Sequence, residues 1–76
     1  MLRRAVAVRD APAEYNLGAV LDRMGRSDEA RRQYERALAI NPFYAPAMNN
    51  LGAWHDRRGQ IEVAIGLLQR AVRAAP

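Results

Sequence analysis

The sequence predicts an all-α fold of two stacked helix-turn-helix hairpins behind a short N-terminal helical stub, and three observations predict it. The chain repeats itself: Ala11 to Pro42 laid over Ala45 to Pro76, a shift of 34 residues, matches fourteen of thirty-two positions without a gap. Within each copy the apolar residues recur at the spacing of one helix face. Glycine and proline then fall at fixed places between the apolar stretches, where helices stop and start. A period of roughly 20 to 50 residues marks a repeat architecture, whose units bury their apolar faces against one another.

Residues 1–10 are read as a stub or linker. Leu2-Arg3-Arg4-Ala5-Val6 echoes Leu68-Gln69-Arg70-Ala71-Val72, two residues out of register with the main repeat, and a frayed end is the alternative. The first hairpin occupies residues 11–44. Its first helix opens at Pro12, where a missing N–H costs nothing, and carries the stripe Ala13, Leu17, Val20, Leu21, Met24. Gly25 ends it. Ser27 is the expected N-cap of the next helix, with Asp28 and Glu29 at the positive end of its dipole. That helix runs to about Ile40 with Ala30, Tyr34, Ala37 and Leu38 inward, and Asn41-Pro42 closes it, since the residue before proline is pushed out of the α region.

The second hairpin, residues 45–76, repeats the plan. Ala47, Leu51 and Trp54 form its first stripe, Gly59 breaks the chain, and Ile61, Ala64, Ile65, Leu68, Ala71 and Val72 follow. Gly18 opposite Ala30, and Gly52 opposite Ala64, are expected to let the two helices of each hairpin approach closely.

Composition narrows the chemistry. A chain of 76 residues, half of them hydrophobic and 26% charged, is globular in balance but builds only a thin core of its own. It has no cysteine and a single histidine, so neither disulfides nor a structural zinc site are expected to brace it, and no cofactor motif is present. No apolar run approaches the roughly 20 residues that cross a bilayer, and the N-terminus lacks the pattern of a secretory signal; no membrane association is expected, and cytoplasm is the default compartment. The net charge of +4 rests on twelve basic residues, all of them arginine.

The spacing resembles the tetratricopeptide repeat. The residues that carry the resemblance are Asn16-Leu17-Gly18, Gly25, Ala30, Tyr34, Ala37 and Pro42, and in the second copy Asn50-Leu51-Gly52, Gly59, Ala64, Leu68, Ala71 and Pro76. It covers residues 11–76. Departures from the family pattern are Glu14 and Met48 where tryptophan is frequent, His55 where tyrosine or leucine is favoured, and Leu68 where an aromatic is favoured. The resemblance implies a right-handed superhelix whose first helices line a concave groove, and peptide or protein binding there.

Helical geometry and the family pattern together place Tyr15, Asn16, Ala19, Asp22 and Arg23 of the first unit, with Asn49, Asn50, Ala53, Asp56 and Arg57 of the second, on or beside that groove. An asparagine amide offers one acceptor and two donor hydrogens, enough to grip the backbone of an extended peptide. Asn16 and Asn50 are therefore read either as a ladder for a peptide or as bridges between neighbouring helices. Binding of a C-terminal carboxylate, as in chaperone-binding members, is disfavoured because Tyr15, Ala19 and Pro46 stand where that clamp needs charge or amide groups. Asp22-Arg23 and Asp56-Arg57 are read as solvated groove-rim charges.

No catalytic constellation is found: His55 is the one near-neutral base, read as a half-buried helical histidine, and Ser27 is the one serine. Arg31, Arg32, Arg36, Arg70 and Arg73 lie on the second helices, but Glu29, Glu35 and Glu62 interleave with them, so nucleic-acid binding is disfavoured. Repeats of this kind usually number three or more and end in a polar helix. No such helix follows Val72 in this sequence, so Trp54, Ile65, Leu68 and Val72 are expected to stay open, with Leu2 and Val6 at the other end. These faces are expected either to be covered by self-association, as a homodimer by preference, or to meet further repeats of a longer solenoid, and a self-assembly element without a peptide ligand is the alternative to groove binding.

Overall fold

The computed structural model describes residues 10–75. Among them there are four helices and no strand: α1 (Ala11–Arg23), α2 (Ser27–Ile40), α3 (Ala45–Arg57) and α4 (Ile61–Ala74). The antiparallel pairs α1/α2 and α3/α4 form two hairpins, and α2 against α3 joins them. Residues 1–9 of the proposed stub, with Leu2 and Val6, lie outside the described residues.

Local chemistry sets the helix ends. Asp10 caps α1, its Oδ1 accepting from the Ala13 N–H at 2.8 Å, with a proline in the opening turn. Both hairpin turns are built the same way. Gly25 (φ 81°) and Gly59 (φ 76°) occupy the left-handed region, where a Cβ is strained. The Arg26 N–H reaches back to the Leu21 carbonyl and Gly25 to Asp22; Gln60 to His55 and Gly59 to Asp56 repeat the motif, satisfying carbonyls the helix leaves orphaned. Ser27 does not cap α2. The turn makes Arg26 the boundary residue, so Ser27 is already helical and its backbone carbonyl serves the joint between hairpins. Asn41, extended at φ −134°, closes α2 as expected, and its side chain accepts from the Phe43 N–H.

The core is alanine-rich, which lets the helices approach: Ala11, Leu21, Ala30, Tyr34, Ala37, Ala47, Leu51 and Leu67, with Tyr15, Leu38 and Tyr44 packed against it. Two expectations need correction. On α4 the expected stripe leaves out Leu67, which is buried with Ala64 and Ala71, while Leu68 is exposed, as expected of the open patch, and lies over Gly52 of α3. On α1, Leu21 of the expected stripe is buried, but Leu17, Val20 and Met24 are exposed, and Ala11, Glu14 and Gly18 are buried in their place.

Trp54 is the third correction. It is buried in the joint between hairpins and contributes nothing to an open end. Its indole N–H donates to the Ser27 carbonyl at 3.0 Å, and the Arg58 guanidinium lies 3.9 Å from a ring centroid, with Arg31 at 5.2 Å. Arg58 in turn pairs with Asp28 at 2.8 Å. With two cations close to its ring and its N–H bonded, the indole already has its partners within the joint.

Candidate functional site

The face shared by α1 and α3 is organised by Tyr34, which rises between them from α2. Its ring lies over Gly18, where a Cβ would stand 2.7 Å from Cε1 and 3.3 Å from the Ala30 carbonyl; glycine there makes room for the ring. Tyr34 is fully buried, and its hydroxyl accepts a hydrogen bond from Asn50 Nδ2 at 3.1 Å. Burial raises the phenol above its ordinary value of 10.0. The Asn50 hydrogen bond and Arg57 pull the other way, and Asp22 and Tyr15 add to the rise.

Two further aromatic rings continue the wall. Tyr15 of α1 sits 6.0 Å from Tyr34 and 5.8 Å, edge on, from Tyr44 at the entrance to α3. Such pairings contribute about 0.5–1.5 kcal/mol beyond area burial. At the other end of the face, Arg57 of α3 reaches Asp22 of α1 at 3.6 Å. The pair crosses between repeats, is largely solvated and is worth at most about 1 kcal/mol.

Of the sequence-selected residues, Tyr15 and Asn50 meet through Tyr34, and Asp22 meets Arg57. Asn16, Arg23, Asn49, Ala53, Asp56 and Arg57 are exposed, and Tyr15, Ala19, Asp22 and Asn50 are half-buried. Of the two readings left open for the asparagines, bridging holds for Asn50, which links α3 to α2 through Tyr34. That bond uses one of its two N–H donors and fixes the amide's orientation. Asn16 is exposed on α1.

Tyr34 and Tyr44 belong to this wall and were not singled out for it. Tyr34 reads as core from the helical period, and only the sixteen-residue reach to Asn50 across the joint shows that its buried hydroxyl contacts a residue of α3. His55 is half-buried, its Nδ1 against Gln60 Oε1 and its ring edge on to Trp54. Among the described residues no cluster of three or more His, Cys, Asp or Glu side chains is placed to hold a metal, and no helix is long and apolar enough to cross a membrane.

A family model described as tetratricopeptide repeat matches residues 11–76. Among solved structures, the crystal structure of MamA superposes with a TM-score of 0.78 at 31% sequence identity, over 84% of this chain. The present chain spans 37% of the length of that one. No curated protein sequence matches.

Proposed function

This chain belongs to the tetratricopeptide repeat family, whose members are protein-interaction modules and in general non-enzymatic scaffolds, and we propose that it binds an extended peptide or protein segment along the α1/α3 face. The observation that carries this reading is the Tyr34–Asn50 bond. A half-buried amide held by a buried hydroxyl is already oriented, so its remaining donor and acceptor meet a ligand backbone with little ordering cost. Ala19 and Ala53 give the face small side chains that let a main chain approach, and Asn16, one repeat away, supplies a second amide.

The test begins with selection of binders from a display library of random linear peptides against the wild-type chain. Asn16→Ala and Asn50→Ala are each expected to weaken a selected peptide about tenfold, the worth of one or two lost hydrogen bonds. Tyr34→Phe, which frees the Asn50 amide without removing it, is expected to weaken it less. Peptides whose affinity ignores all three changes but falls on Arg32→Glu or Arg70→Glu would sink the groove reading.

A second reading concerns another surface. Ile61, Ile65, Leu68 and Val72 fall at i, i+4, i+7 and i+11 of α4 and are all exposed. They are a continuous apolar stripe suited to self-association, into a homodimer or a larger assembly.

A further inference from the structure

We infer that copies of this chain stack head to tail, the α4 face of one copy receiving the α1 face of the next as α2 receives α3 within the chain. The inference rests on the self-association reading and names the contact it uses. The internal joint is the template. There, Ala47, Leu51, Trp54 and Arg58 of the second repeat's first helix and its end meet a row on α2 that includes Ser27, Arg31 and Tyr34, with Leu38 continuing it.

Thirty-four residues earlier, the positions of the α3 row are Ala13, Leu17, Val20 and Met24 on α1 and its cap. Thirty-four residues later, the positions of the α2 row are Ile61, Ile65, Leu68 and Val72 on α4. The same positions that are covered inside are open at the ends: Leu51 is 5% exposed and Leu17 47%, Trp54 8% and Val20 42%, Tyr34 0% and Leu68 42%.

The character of both faces changes together. Inside, the joint is aromatic and polar, with an indole donating to a carbonyl and an arginine stacked on the ring. At the ends, Ser27, Arg31 and Tyr34 give way to Ile61, Ile65 and Leu68, and Trp54 and Arg58 give way to Val20 and Met24. Each of these two exposed faces is aliphatic and holds the repeat positions that meet each other in the joint, so the two match in character as well as in place. The Arg58–Asp28 pair has no analogue, because Met24 and Glu62 stand in its place. On α4 the receiving surface is a shallow groove of about 490 Å³ lined by Ile65, Leu68, Gln69, Val72 and Arg73.

A second copy seated this way buries one face of each kind and leaves one of each kind open. Growth is therefore open-ended unless the rotation closes a ring, unlike a two-fold dimer. Successive α1/α3 faces then run on from one copy to the next and lengthen the binding groove.

Light scattering on a sizing column, over a wide dilution series, tests this with Ile65→Glu on α4 and Val20→Glu on α1. Wild type is expected to pass beyond twice 8.5 kDa as concentration rises. Each variant alone is expected to stay at 8.5 kDa, and their equimolar mixture to give a species of twice that mass, because one retains the α1 face and the other the α4 face. Circular dichroism reports whether each variant is folded; Val72→Glu and Met24→Glu serve in place of one that is not. Val20→Glu remaining dimeric while Ile65→Glu is monomeric would overturn the head-to-tail contact in favour of a two-fold α4 pairing. Wild type monomeric at every concentration would overturn both this contact and the self-association reading beneath it.

Discussion

Gly18 and Gly52 occupy the same repeat position yet face different neighbours, and substituting each should separate their roles. A Cβ at Gly18 meets the ring of Tyr34 at 2.7 and 2.8 Å, and that ring is buried and tied at its hydroxyl to Asn50. At Gly52 it meets Cγ and Cδ2 of Leu68 at the longer distance of 3.3 Å, on a side chain that is exposed and not buried. Gly18→Ala is therefore expected to destabilise by about 1–2 kcal/mol, the overpacking cost less the gain in helix propensity, and Gly52→Ala to be neutral or slightly stabilising, by chemical denaturation. Equal effects at the two sites would contradict this packing. Gln33 offers the converse case. Its Oε1 is buried without a hydrogen-bond partner, whereas the equivalent position of the second hairpin holds buried Leu67. Gln33→Leu removes the orphaned acceptor and is expected to raise stability by about 1–2 kcal/mol in the same measurement. The close approach at both glycines was legible in the repeat. That an aromatic ring, and not merely Ala30, fills the space above Gly18 was not, since periodicity assigns a residue to a face without saying how far its side chain reaches.

Helix boundaries followed from glycine, proline and asparagine because each acts through its own backbone geometry, and Gly25, Gly59 and Asn41 stand where their chemistry requires. Ser27 was misplaced because its role depends on where the preceding turn ends, one residue away. Trp54 was misplaced for a larger reason: an apolar stripe says that a face seeks cover, and only the packing of elements says which neighbour supplies it. Here α2 supplies it, and the joint that results holds Trp54, Arg58, Tyr34 and Asn50. The joint also has a pH signature. Tyr34 is held protonated above its ordinary pKa by burial, so the unfolded chain releases this proton before the folded one does. Its contribution to stability is complete below about pH 10 and is lost as pH rises from there through the folded-state value. Tyr34→Phe should cost about 1 kcal/mol at neutral pH, by stranding the Asn50 donor, and should flatten the alkaline fall in thermal stability. An alkaline limb unchanged by Tyr34→Phe would assign the loss to other groups.

At the scale of the molecule, two similar hairpins produce three different surfaces. The covered joint gives the pair its shape, the α1/α3 face gathers aromatic rings, amides and mixed charge, and the two outer faces are aliphatic. The architecture was legible because each unit contacts only its neighbour, so a 34-residue period carries directly into space. The bridging role of Asn50 was legible as one of two readings, but the hydroxyl that orients it belongs to a residue in the other hairpin, and the pairing arises only once the repeats are stacked. The most direct test of the account is a titration of isotope-labelled wild-type chain with a library-selected peptide, followed by backbone amide chemical shifts. The account predicts the largest changes at Tyr15, Asn16 and Ala19 on α1 and at Asn49, Asn50 and Ala53 on α3. Changes concentrated instead at Arg32 and Arg36 of α2 and Arg70 and Arg73 of α4, with the α1/α3 face silent, would contradict it.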